Sequence, residues 1–341
     1  MNSTETLKVA MLGCGNFARR YHVPALDREQ RARLSMICDP GSAPALRDLA
    51  ARTGATLTAS IDDLFAPGAC DAVIISTPHT LHAGHALQCL ERGKHVLVDK
   101  PFVMRSAEAK QLADRARAAG LVGAVAFNRR FDESCVRAKQ LIACGGLGEI
   151  RYVETIQLGY EPHGWFLDPA LGGGGPFTGR GAHMADLLPW ILDRHPDRVR
   201  AVTRSGLPGR TDAGGFIEVD FGALRCHLTC IETGLHMWDE IRVFGDQGLI
   251  ELRRPLDIPL GWQLTHWEKG RKPLEVIEAD DTPGAATSDF ITAIVDRNVA
   301  PACTFEQAWN SVRVIELAFE SAAKDGAWLE TGGGDKHCRD L

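Results

Sequence analysis

Two rhythms of apolar and polar positions divide the chain. Up to about residue 127, short, mostly apolar runs alternate with stretches of helical spacing. Leu7–Leu12 is the first run, and 34–38, 71–76, 95–98 and 122–127 follow it. Runs so short and so apolar predict strands buried on both faces. Residues 43–52, 61–65, 81–92 and 107–119 carry helical spacing, with Gly93 and Gly120 as stops. This alternation predicts an α/β fold built on a doubly wound parallel sheet, with ligands at the carboxyl ends of its strands.

From residue 128 the rhythm changes. A helix at 134–144 leads into long stretches in which apolar and polar residues alternate: 149–160, 198–204, 215–221, 225–232, 238–244 and 249–252. Turn signals at Gly222-Ala223, Gly234 and 245–248 separate them. The pattern predicts an α+β domain with a large, mostly antiparallel open sheet covered by helices on one face. Two late helices, 288–296 and 305–324, close the pattern. The expected domains are 1–127 for a dinucleotide, 128–330 for substrate and oligomerisation, and a flexible tail at 331–341, with the late helices able to pack back on the first domain.

The junction after the first strand carries chemistry. The glycines fall as Gly13-x-Gly15-x-x-Ala18. Gly13 permits the tight turn, Gly15 lets a pyrophosphate approach the backbone, and small Ala18 lets the helix lie close to the strand. The helix start offers unpaired N–H groups to phosphates. Asn16 and Phe17 sit in the same turn. The second strand ends in Asp39, placed to hold both hydroxyls of an adenine ribose and to repel the 2′-phosphate of NADP. NAD is therefore expected and NADP disfavoured.

Three further stretches carry polar groups where such strands end. In Ser76-Thr77-Pro78-His79-Thr80-Leu81-His82, Thr77, His79 and His82 are cofactor candidates; a proline-ordered turn is the competing reading. In Asp99-Lys100-Pro101, proline holds Lys100 at a strand end, where a lysine could stabilise a developing alkoxide. A surface ion pair is the alternative there. The third stretch follows four glycines at 172–175. It opens a helix near Gly181 with His183 and Asp186 three apart on one face. A histidine suits proton exchange near neutrality.

Composition narrows the classes. Forty-five per cent hydrophobic and 24% charged residues are ordinary for a globular chain of 341 residues. A net charge of −6 argues against nucleic acid and anionic membrane as partners. No apolar run is long enough to span a membrane, and the N-terminus lacks the marks of a signal peptide. Ten cysteines are scattered without a C-x-x-C pair; Cys226 and Cys230, on one face of an expected strand, read as buried thiols rather than zinc ligands, no metal is expected, and a reducing cytoplasm is the expected compartment.

These motifs together resemble the glucose-fructose oxidoreductase / inositol dehydrogenase / rhizopine-catabolism (Gfo/Idh/MocA) family. The resemblance rests on GCGNFA, STPHTLHAGHALQCLERGKHVLVDKP, NRRFD, GGLGEI, GRGAHMAD, VFGDQGLIEL and SDFITAI with VRVIELAFESAAKDG, and it covers nearly the whole chain. It implies a Rossmann domain, a second α/β domain whose open sheet makes homodimers or homotetramers, and a nicotinamide dinucleotide that oxidises a sugar or cyclitol hydroxyl. Lys100 matches the lysine of the family's Glu-Lys-Pro motif, and His183 its catalytic histidine. Asp99 and Arg129 join the cofactor set, and Arg130, Trp165, Thr178, Arg180 and Asp186 the substrate set. Glu161, Asp168 and Asp186 could suit an amino-bearing sugar of antibiotic type.

Two positions depart from the family pattern. Asp99 shortens the Glu of Glu-Lys-Pro by one methylene. Gly179 stands where the inositol dehydrogenase type carries an aspartate four residues before the histidine, leaving Thr178 or Arg180 to take over or a bulkier substrate to enter. The reverse reaction (a ketoreductase), an NAD-assisted glycosidase and a non-catalytic dinucleotide-binding regulator stay open at this point.

Overall fold

The computed structural model describes residues 6–41, 43–159, 163–204, 211–232, 237–255, 261–268, 273–280 and 282–332. Tyr160, Glu161, Gly234 and the tail from 333 onward lie outside the described residues. The chain forms two compact units. The first comprises 1–128 and 283–309, the second 129–282 and 310–341.

The first unit is a six-stranded parallel sheet. Its strands are β1 (Leu7–Leu12), β2 (Ala32–Cys38), β3 (Thr56–Thr58), β4 (Ala72–Ile75), β5 (His95–Asp99) and β6 (Gly123–Ala126). They lie in the order β3-β2-β1-β4-β5-β6, so the chain order reverses at β1. Helices α1 (Val23–Arg28), α2 (Pro44–Thr53), α3 (His82–Glu91) and α4 (Ser106–Ala118) connect them. The side chains of β4 are wholly buried, as the unbroken apolar run requires. The short strand β3 is one that the apolar pattern did not reveal. Helix α7 (Ala285–Asp296) returns to this unit and packs on α1, β5 and β6. Val125 N–H then donates to the Cys303 carbonyl at 3.0 Å.

The second unit holds a nine-stranded sheet: β7 (Ile150–Gly159), β8 (Arg198–Thr203), β9 (Gly214–Phe221), β10 (Leu224–Glu232), β11 (Trp238–Gly245), β12 (Gly248–Pro255), β13 (Gln263–Glu268), β14 (Pro273–Glu278) and β15 (Leu329–Glu330). The order is β14-β13-β12-β11-β7-β10-β9-β8-β15. All pairs are antiparallel except β7 with β10, which run parallel at the centre. Strands β13, β14 and β15 were not expected. Alternate residues of β7, β9, β10, β11 and β12 pack beneath α5 (Glu133–Ala143), α6 (Ala182–Leu192) and the later turns of α8 (Phe305–Ala322). On the opposite face Val202 and Phe216 face one another and are exposed, flanked by Arg200–Glu218 and Glu154–Arg242–Glu251 pairs.

Candidate active site

The first unit gathers its polar groups at the carboxyl ends of β1, β2, β4 and β5. Gly13 ends β1 with φ of +80°, and an added Cβ would lie 2.7 Å from the Ser76 carbonyl. Conformation and room both demand glycine there. Gly15 differs: an added Cβ would meet nothing within 4 Å, so the backbone at the mouth of the turn is open to a ligand. Asp39 crosses this mouth, its carboxylate accepting the Cys14 N–H at 2.8 Å and the Gly41 N–H at 2.7 Å. The carboxylate is thereby oriented by backbone donors while staying partly exposed. An open turn, a fixed acid one strand away and a helix start fit a dinucleotide.

The helix that follows begins with a π turn, Ala18–His22. Arg19 donates to the Asn16 carboxamide oxygen at 2.6 Å, and Phe17 stacks on Tyr21 with centroids 4.6 Å apart. The turn ends in His22, which the sequence reading missed. His22 is buried, with Nδ1 2.8 Å from Thr287 Oγ1 and Nε2 2.8 Å from Asp99 Oδ1. Ser76 Oγ donates to the other Asp99 oxygen at 2.5 Å. Asp99, expected at the cofactor, is buried with both oxygens engaged. Burial pushes its carboxyl up, but the His22 ring and the His22 and Ser76 hydrogen bonds outweigh it and hold the carboxyl below its ordinary value. Lys100 follows directly, half-buried at the end of β5.

Thr77 Oγ1 lies 3.1 Å from His85 Nδ1. His79 is buried, edge-on to His82 at 6.0 Å. His82, also expected at the cofactor, is sealed in. Its Nε2 lies 2.8 Å from the Thr77 carbonyl and its Nδ1 2.8 Å from that of Pro101. Burial lowers its pKa despite these carbonyls, and the ring sits between the two loops.

In the second unit a π turn, Phe177–Gly181, runs into α6. Helix α6 is apolar except for His183 and Asp186, which explains its deep burial. His183 is half-buried in the first turn. Asp186 and Arg130, expected at the substrate, pair with each other in the interior, Arg130 Nε and Nη2 donating at 3.0 and 2.6 Å. Burial raises the Asp186 carboxyl in spite of Arg130. Arg129, expected at the cofactor, donates to Asp239 at 2.5 Å and lies over the Trp262 ring. Arg180 donates to the other Asp239 oxygen at 2.7 Å, and Gln157 adds a third bond at 3.1 Å. Asp239 and Gln157 carried no local signal, because their partners lie far along the chain.

The remaining candidates are dispersed. Thr178 is buried. Trp165 stacks on Phe166 with centroids 3.8 Å apart, and Asp168 caps the next turn through the Ala170 N–H at 2.9 Å. The 172–175 glycines admit other parts of the same unit: an added Cβ at Gly172 would lie 2.9 Å from the Phe166 carbonyl, and one at Gly175 would overlap that of Asp212. Among the described residues no group of three His, Cys, Asp or Glu could hold a metal, and no helix is long and apolar enough to cross a membrane.

Known proteins agree with this anatomy. Residues 7–127 match the model of the oxidoreductase family with an NAD-binding Rossmann fold, and 135–251 match the GFO/IDH/MocA C-terminal domain. The D-glucoside 3-dehydrogenase of Escherichia coli (strain K12) is 31% identical over 198 residues, 56% of this chain and 55% of that protein. The scyllo-inositol 2-dehydrogenase (NADP(+)) IolW of Bacillus subtilis (strain 168) is 30% identical over 46% of this chain and 43% of its own length. The chain thus spans about half the length of the curated relatives it matches. The crystal structure of GenD2 from gentamicin A biosynthesis in complex with NAD superposes with a TM-score of 0.81 at 26% identity, covering 97% of both chains. The first unit is an NAD-binding Rossmann domain, and the chain belongs to the Gfo/Idh/MocA oxidoreductase family.

Proposed function

We propose that the protein is an NAD-dependent dehydrogenase that oxidises a secondary hydroxyl of a sugar or cyclitol to the ketone. The observation that carries this reading is the placement of Lys100 on the same edge of the parallel sheet as the open glycine turn and Asp39, at the end of a strand clamped by Asp99. The relatives named as a glucoside 3-dehydrogenase and an inositol 2-dehydrogenase support a ring hydroxyl as the reacting group.

Gly13, Gly15 and Asp39 would hold the dinucleotide, with Asp39 on the adenine ribose. NAD, when bound, supplies the hydride acceptor. Lys100 donates a hydrogen bond to the reacting oxygen and stabilises it as it becomes an alkoxide. His183 takes the hydroxyl proton as general base. Asp99 and His22 keep the end of β5 in place beneath the lysine. The same reading carries a homodimer or homotetramer assembled through the open face of the second sheet.

The test is NADH formation across a panel of sugars, cyclitols, nucleotide sugars and aminoglycosides, with Lys100→Ala and His183→Ala beside the parent protein. Turnover of one class, reduced about 10²–10⁴-fold by either substitution, is expected. Turnover that survives both substitutions would remove the assigned roles.

A further inference from the structure

Arg180 stands three residues before His183, in the π turn that enters α6. Its side chain has a prepared bed. The stem crosses Gly159 at the end of β7, where an added Cβ would lie 2.9 Å from Arg180 Cδ. Nη2 is fixed on Asp239 Oδ1, which also accepts from Gln157, while Arg129 holds Oδ2. The Asp239 side chain is fully buried, whereas that of Arg180 keeps 18% exposure. A molecule arriving from solvent meets the guanidinium, not the carboxylate behind it.

Two guanidiniums share this one carboxylate, which leaves a positive charge uncompensated within the trio. Nε of Arg129 and Nε of Arg180 are both buried and make no hydrogen bond. The surrounding acids are already engaged. Asp186 takes Arg130, Asp132 takes the Ser134 and Trp262 N–H groups, and Asp212 takes those of Gly175 and Gly214. Beside Arg180 there is room, since a Cβ on Gly179 would meet nothing within 4 Å. A guanidinium held on one edge by Asp239, with the side chain still partly open to solvent, can receive a carboxylate or a phosphate.

We infer that the substrate carries an anionic group, a carboxylate or a phosphate, and that Arg180 is the residue that selects it. The inference rests on the dehydrogenase reading above and names the chemical class of its substrate. It also turns away from an amino-bearing sugar, because the described acids near α6 are committed to other donors.

The experiment uses matched pairs: D-glucuronate against D-glucose, and D-glucose 6-phosphate against D-glucose. Each is offered to the parent protein, Arg180→Gln and Arg180→Lys. NADH formation is followed with NAD, and binding to the NADH-loaded protein is followed by calorimetry. The expected result is an anionic member preferred by about tenfold or more. Arg180→Gln should collapse that preference about tenfold, chiefly through KM, and Arg180→Lys should restore part of it. The phosphate and carboxylate arms tell the two anions apart. No anionic preference in binding or turnover, or an equal loss for both members of a pair in Arg180→Gln, overturns the inference. Anion binding that depends on Arg180 but yields no NADH from any pair would overturn the dehydrogenase reading and leave the anion site standing.

Discussion

At the scale of single residues, the proposed site divides into groups assigned to ligands and groups that hold the fold around them. Asp39 is assigned to the first kind. Its carboxylate is fixed by the Cys14 and Gly41 N–H groups, so it cannot swing away from a phosphate placed near it. Asp39→Ala should therefore relax the preference for NAD over NADP by about tenfold, near 1.4 kcal/mol, while weakening NAD itself. The kcat/KM ratio for the two cofactors measures this; an unchanged ratio would mean another group reads the ribose. Arg130 and Asp186 belong to the second kind. Their polar character suggested substrate contacts, yet each neutralises the other out of water. Their partnership spans 56 positions of chain, and nothing local announces it.

At the scale of elements, the parallel sheet was legible because its central strands are largely buried and so mostly apolar. The glycine turn was legible because its constraint is local: a positive φ at Gly13 and open space at Gly15. What stayed hidden was non-local. Strand β3 is only three residues long, and β13 and β14 are short outer strands beyond the alternating stretches that announced the sheet. The π turn leaves the helical apolar pattern intact and shows only in where it puts His22. That side chain joins the first helix to β4, β5 and α7 through Ser76, Asp99 and Thr287.

The linkage has a pH signature. The folded-state pKa of Asp99 is depressed, so its contribution to stability is complete above the unfolded value, near 3.9, and is lost as pH falls through the lower folded value. His22→Ala should cost about 3–5 kcal/mol at neutral pH, because it strips a buried carboxylate of a partner. The gap between variant and parent should narrow below about pH 4. Urea unfolding across pH reads both; a gap independent of pH would show that His22 acts by packing alone.

At the scale of the whole molecule, the described helices of the second unit cover one face of its sheet. Val202 and Phe216 stand exposed on the opposite face among ordered charge pairs, an arrangement suited to a self-complementary contact. Light scattering should give the mass of two or four chains, and Val202→Asp with Phe216→Asp should shift the population toward one chain. A monomeric parent protein would end the assembly proposal.

The first unit is also discontinuous along the chain: 1–128 supplies its sheet, and 283–309 supplies α7 with Thr287 and Cys303. This bears on how such proteins can be reshuffled during descent. One recombination event near residue 128 would give His22 a foreign partner and leave β6 without the strand-like segment it pairs with. The second unit is split as well, into 129–282 and 310–341, so it passes between lineages intact only when three junctions, near 128, 282 and 309, are exchanged together. Changing single side chains in place, Arg180 under the reading proposed above, disturbs none of these junctions, whereas trading a unit whole disturbs all three.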